Sequence, residues 1–411
     1  MKYKRSLLTL LVVLLASPLT AALAEQSALT NIFKKEDRPV RVVCFGDSVT
    51  GLYYHTGGRR AYTDMLQIAL ERTYPQADIQ AINAGISGNT CADGLRRIKK
   101  DVLDHKPDLV TVMFSLNDMT RGQSLSTFES QLLDIIKQCQ DIGAAVLLCT
   151  PNSVMDTPRR PTAKLEEYVA TIRKIAKQHN LPLADCYAAY QMQREKDAWE
   201  WSMLMSDEIH PNMCGHKLIA ETIAEAISGK HISLADVIAL QPAVPFTLKL
   251  LQAGEPVKIL AMPPYDSIVA ETINQQYPDA KLEVTPWLVE GKSIAEIDAS
   301  SAQVRAGGYH LVVIAVPWQA CPRKVQSQLR NFSWVLNKSL SFGRLEWDCI
   351  AVTPAVTRPA ANDDERLANS IARKFMLNQD ITVIERSESK PTIVAAEIFA
   401  NWWATQHSNN E

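Results

Sequence analysis

The stretch VRVVCFGDSVTGLYYHTGG, residues 40–58, changes character at Gly46. Up to Phe45 it is a nearly unbroken apolar run, as expected of a strand covered on both faces. Beyond Gly46 it is polar, aromatic and rich in glycine, and Ser48 stands at the mouth of the strand. Working outward, the same alternation recurs. A helical pattern over 61–74 puts Leu66, Ile68, Ala69 and Leu70 on an apolar side. Strand-like runs follow at 77–83, 108–114, 144–150 and 181–187, with amphipathic stretches between them. Short apolar strands alternating with helices predict a parallel sheet with helices on both faces. Ligands of such sheets bind at the carboxyl ends of the strands, which is where Ser48 lies.

A second run of this kind begins near residue 255, after the proline-bearing stretch QPAVPF (241–246), and it echoes the first. RPVRVVCF (38–45) resembles EPVKILAM (255–262), and YPQADIQ (74–80) resembles YPDAKLE (277–283). PDLVTVMF (107–114) resembles YHLVVIAV (309–316), and AVLLCTP (145–151) resembles DCIAVTP (348–354). Tyr74 to Leu109 spans 35 positions and Tyr277 to Leu311 spans 34, so an internal duplication is expected. The second copy is shortened in two places, which correspond to the neighbourhood of Ser48 and to the stretch containing SDEIH (206–210). Chemistry is therefore expected in the first copy.

At the amino terminus, Lys2, Lys4 and Arg5 precede the apolar run SLLTLLVVLLA, and Ala22-Leu23-Ala24 offers a small-residue cleavage site. This predicts a signal peptide over 1–24, because the run is shorter than the ~20 residues a membrane span needs. The remainder is read as a linker (25–38), a first domain (39–240), a connector (241–254) and a second domain (255–411). Two domains agree with a chain of 411 residues at about 100–200 residues each. No later stretch is long and apolar enough for stable membrane insertion. A net charge of −2 without a basic stripe argues against a nucleic-acid partner. Of eight cysteines, Cys44, Cys149 and Cys349 lie in apolar runs, whereas Cys91 and Cys214 lie in polar contexts where a disulfide could form. No Cys/His spacing suggests a metal site, and no cofactor is expected.

Four short blocks carry candidate chemistry. SDEIHPN (206–212) places Asp207 three residues before His210, so one turn can present both side chains to a neighbour. A histidine that takes a proton from serine needs a carboxylate on its other ring nitrogen to orient and stabilise it. His216, within the following helical pattern, is read as structural. NAGISGNT (83–90) follows the second strand, and Gly85 there can present a backbone N–H. SLNDM (115–119) follows the third, and Asn117 can supply an amide. With the N–H of Ser48, these make three donors for a developing oxyanion.

In this order, the blocks resemble those of the SGNH (GDSL-type) hydrolase family. The resemblance covers about 39–228 and implies a three-layer αβα, flavodoxin-like fold and metal-free ester hydrolysis through an acyl-enzyme. It implies Ser48 as nucleophile, His210 as base, Asp207 as its partner, and Ser48, Gly85 and Asn117 as the oxyanion hole. Ser115 replaces the glycine usual in the third block, and Val49 stands where leucine or isoleucine is common. The second copy lacks the blocks. Asp266-Ser267 follows Tyr265 rather than glycine, and no Asp-x-x-His follows, so this half is read as degenerate and noncatalytic.

The loop YYHTGGRR beside Ser48 suggests a carbohydrate surface. Tyr53 and Tyr54 offer stacking faces, His55 a hydrogen-bonding group, and Arg59 and Arg60 partners for an acidic sugar. The expectation is an exported esterase acting on a small ester or an acetylated polysaccharide. A broad esterase, thioesterase or lysophospholipase is the alternative within enzymes, and a noncatalytic glycan-binding protein the alternative outside them.

Overall fold

The computed structural model describes residues 29–34, 37–51, 53, 55–341, 346–387 and 392–406. The proposed signal peptide and Tyr54 lie outside the described residues. Two five-stranded parallel sheets are present. The first contains β1 (Val40–Gly46), β2 (Ile79–Gly85), β3 (Leu109–Met113), β4 (Ala145–Cys149) and β5 (Leu183–Ala184), in the order β2-β1-β3-β4-β5. The second contains β6 (Val257–Ala261), β7 (Leu282–Pro286), β8 (Leu311–Ile314), β9 (Asp348–Val352) and β10 (Thr382–Ile384). Its order, β7-β6-β8-β9-β10, repeats the first. This is the flavodoxin-like order that the family resemblance implies.

The likeness extends to register. Val40 pairs with Ile79 and Val257 with Leu282; Val42 pairs with Leu109 and Ile259 with Leu311. Leu109 pairs with Ala145 and Leu311 with Asp348. In each case the partners are the residues matched by the sequence echo. A one-residue slip would turn each strand's side chains to the other face, so this agreement is demanding.

Each sheet has its own core. Val42, Cys44, Leu109, Val110 and Leu147 belong to the first, and Ile259, Val312, Val313 and Ile350 to the second. Leu29 and Phe33, in the stretch read as a linker, pack into the first core, where Phe33 stacks on Tyr74. The stretch read as a connector contains a helix, Pro245–Gln252, started by its proline. Asp348 at the head of β9 accepts from the N–H groups of Phe246 and Thr247 in its first turn. The strand expected over 181–187 is reduced to two residues, because Asp185 accepts from the Ala188 N–H and begins a helix at Cys186. All eight cysteines are free, so the Cys91–Cys214 disulfide is not formed; Cys91 is instead buried at the start of a helix. Among the described residues, no helix is long and apolar enough to cross a membrane.

Candidate active site

Ser48 begins a short helix, Ser48–Gly51, directly after β1. The turn is tight because of Gly46: a Cβ there would lie 2.3 Å from Thr50 Oγ1 and 2.7 Å from the Met113 carbonyl oxygen. Asp47 holds the turn by accepting from the Val49 N–H at 3.0 Å. On the opposite side, Ser206 to His210 form a turn ahead of the helix Met213–Ser228, which Asn212 caps. Asp207 Oδ1 accepts from the N–H groups of Ile209 and His210, both at 2.7 Å. Its Oδ2 lies 2.8 Å from His210 Nδ1, and His210 Nε2 lies 2.9 Å from Ser48 Oγ. The result is a continuous path from a buried carboxylate through an imidazole to a hydroxyl, joining residues that are 162 positions apart. Burial by itself would raise the Asp207 carboxyl, but the neighbouring imidazoles of His210 and His55 and the His210 hydrogen bonds outweigh it. They hold it well below the usual carboxylate range. Asp207 therefore stays ionised and can stabilise an imidazolium.

The donors differ in part from the expectation. The Gly85 N–H donates to Asn83 Oδ1 at 3.0 Å and does not open into the cleft. Gly85 is required for packing, since a Cβ there would lie 2.4 Å from Gly51 N. Three residues on, Gly88 has a φ of +77°, a conformation that favours glycine, and its N–H meets no acceptor among the described residues. NAGISGNT holds two glycines, and the structure places only the second in the loop beyond the strand. Asn117 Nδ2 donates to the Asn89 carbonyl at 3.1 Å and to Asp47 Oδ2 at 3.2 Å. It thus lies between the Gly88 loop and the Ser48 turn. Arg97 fixes that loop, donating to the carbonyls of Gly46 and Ala84 and to Asn89 Oδ1.

The loop read as a carbohydrate surface is largely internal, which corrects the assignment of His55, Arg59 and Arg60. Arg60 is 5% exposed and pairs through two nitrogens with the buried carboxylate of Asp380 in the second half. Arg59 donates to the carbonyls of Leu240 and Pro242. His55 is buried, stacks on His210 with ring centres 4.3 Å apart, and lies 2.8 Å from Ser206 Oγ through Nδ1. Burial and the nearby His210 charge lower its basicity well below that of an ordinary histidine. Tyr53 is half-buried and accepts from Asn83 Nδ2. A polar loop next to a nucleophile reads as a cleft wall in sequence, but here Arg60 meets a carboxylate of the other half and Arg59 the carbonyls of the stretch that joins the halves. His216 is structural: its Nδ1 accepts from the Tyr62 N–H, and burial lowers it to about 3. His55, Asp207 and His210 lie close enough to share an ion, but both His210 nitrogens are already engaged by Asp207 and Ser48. That arrangement is suited to moving a proton.

Residues 44–218 match the family model described as GDSL-like lipase/acylhydrolase. The first half of this chain belongs to that family. It is a serine ester hydrolase of the SGNH type. Among known proteins, it is 27% identical over 169 residues to an acetylxylan esterase of Geobacillus stearothermophilus, covering 38% of this chain and 76% of the relative. It is 28% identical over 152 residues to thioesterase 1/protease 1/lysophospholipase L1 of Escherichia coli, covering 37% and 69%. A crystal structure of a lipase/acylhydrolase from Enterococcus faecalis is 30% identical with a TM-score of 0.40, covering 47% of this chain and 97% of that one.

Proposed function

We propose that this SGNH hydrolase is exported and removes acyl groups, acetyl above all, from carbohydrates. The observation that carries the mechanism is the relay from Asp207 Oδ2 through His210 to Ser48 Oγ. His210 Nε2 takes the Ser48 proton as Oγ bonds to the acyl carbon, and Asp207 stabilises the imidazolium. The carbonyl oxygen becomes an oxyanion held by the N–H groups of Ser48 and Gly88 and by Asn117 Nδ2. Collapse of this intermediate expels the alcohol, which takes the proton from His210. Water then attacks the acyl-enzyme by the reverse sequence and releases the acid and free Ser48.

Support for an acetylated carbohydrate comes from the similarity to an acetylxylan esterase and no longer from the loop after Ser48. The leader-like residues 1–24 support export. The similarity to a thioesterase and lysophospholipase favours a second reading, in which longer acyl chains are cleaved. The matched order and registers of the two sheets support the second half being a degenerate copy. Its Ser267 donates to the Pro264 carbonyl at the start of a helix and is bonded to no histidine among the described residues.

Acetate release from acetylated xylan, compared with hydrolysis of a long-chain acyl thioester, separates the two readings. Ser48→Ala should abolish both while leaving the melting temperature near that of wild type. Turnover retained by Ser48→Ala would remove Ser48 as nucleophile, and faster long-chain hydrolysis by wild type would move the substrate to lipids and thioesters.

A further inference from the structure

The turn that carries Asp207 and His210 is gripped by the second half of the chain. The buried guanidinium of Arg330 donates to the carbonyls of Ser202, Met205 and Asp207, at 2.9, 3.0 and 3.2 Å. Ser333 Oγ donates to the Ser206 carbonyl, which also accepts from Asn337 Nδ2 at 3.2 Å. The Ser206 hydroxyl donates to Asn337 Oδ1 at 2.7 Å, and Gln379 Nε2 donates to both Ser206 Oγ and Asn337 Oδ1. These four side chains lie on or directly after the helices Gln326–Ser339 and Asp363–Asn378. An irregular turn buried against another layer leaves carbonyls that must find donors. Here those of Met205, Ser206 and Asp207 take side-chain donors from the second half, while those of Glu208 and Ile209 take theirs from Met155 N and Asn152 Nδ2 in the first.

The network reaches the imidazole. Because the Ser206 hydroxyl gives its only hydrogen to Asn337, it must accept from His55, which assigns the His55 proton to Nδ1. His55 Nε2 then faces Asp207 Oδ2 at 3.6 Å without a proton to offer, beyond hydrogen-bond reach. Asp207 Oδ2 is left undivided for His210 Nδ1, and the His55 ring forms a flat backing for the His210 ring.

We propose that the second half is a positioning clamp for the catalytic turn. Through Asn337, Ser206 and His55 it sets the orientation of His210, so the active site is incomplete without it. This rests on the serine-esterase reading of Ser48 and His210. Arg330, Asn337 and Gln379 are positioning residues: they touch no reacting atom and act through the turn.

The test uses the full chain, with p-nitrophenyl acetate as substrate and a fluorophosphonate probe for Ser48. Asn337→Ala and Ser206→Ala should each lower kcat by about 10–10²-fold, the scale of a misplaced catalytic group, with KM unchanged. The double variant should be little worse than the poorer single variant, because both break one relay. Asn378→Ala serves as an interface control: its amide donates to the Met203 carbonyl and to neither Ser206 nor Asp207. It should lower the melting temperature and leave kcat intact. If Arg330→Ala fails to fold, Arg330→Lys, which keeps the charge and loses the fork, should fold with kcat reduced. An active wild type whose kcat is unmoved by Asn337→Ala, or whose losses track the melting temperature in every variant including Asn378→Ala, would overturn the clamp alone. A wild type that neither turns over nor labels would instead sink the serine-esterase reading on which the clamp rests.

Discussion

Asn117 is tied on both sides in the resting site, to the Asn89 carbonyl and to Asp47 Oδ2. Burial raises the Asp47 carboxyl to about 6, against the opposing pull of the Val49 N–H and the His210 charge. The amide is therefore preorganised at the cleft floor before substrate arrives, and its longer bond, to Asp47, is the one to exchange for an oxyanion. Asn117→Ala should lower kcat by about 10²–10³-fold with little change in KM, as for a donor used in the transition state. Steady-state kinetics on p-nitrophenyl acetate check this, and an unchanged kcat would remove Asn117 from the oxyanion site. At this scale Ser48, Asp207, His210 and Asn117 were legible because each sits at a fixed offset from a strand end or helix cap. Gly85 and Gly88 could not be told apart, because which N–H is free depends on where the Asn83 side chain points.

Among the elements, β9 shows how a buried carboxylate joins two pieces of structure. Asp348 accepts from the first turn of the helix Pro245–Gln252, at 2.6 Å from Thr247 N. Burial nevertheless raises its carboxyl to about 6, with the N–H bonds and Arg59 opposing. A carboxyl raised on folding stabilises the fold below its unfolded value, about 3.9, and loses that contribution as pH rises through its folded value. Asp348→Asn keeps an acceptor for Thr247 but does not ionise. Its melting temperature relative to wild type should therefore rise between pH 4 and pH 7, as calorimetry at the two pH values would show. A difference that stays constant with pH would mean that folding does not raise this carboxyl. Strand identity was legible here, since the short apolar runs mark the strands and the sequence echo matches those of one half to those of the other; which strands pair, and in what register, was not. The shortness of β5 was not, because Asp185 could read equally well as a strand end or a helix cap.

For the whole molecule, the decisive contacts join the two halves. Arg60 and Asp380 are both buried and form a two-pronged ion pair, with a further bond from Arg60 to the Ile238 carbonyl. Gly57, at φ +79°, packs so close that a Cβ would lie 2.8 Å from the Asp380 carbonyl oxygen. Arg60→Met should destabilise the protein by about 3–5 kcal/mol, because it leaves a buried carboxylate without its charge partner. Pairing it with Asp380→Leu should restore most of that loss. Denaturant unfolding of wild type and these two variants would show this, and an Arg60→Met variant as stable as wild type would mean Arg60 is not holding the halves together.

The sequence by itself determined the class of fold and the chemistry of the serine, because these depend on local periodicity and on short motifs at strand ends; the order of the strands was implied only by the family resemblance and the internal echo. The tertiary structure alone decided what the loop after Ser48 and the second half do. Arg60 and Asp380 are 320 positions apart, and Ser206 and Asn337 are 131 apart. No local pattern records such pairings, since they arise only when two sheets that each fold around their own core are packed together.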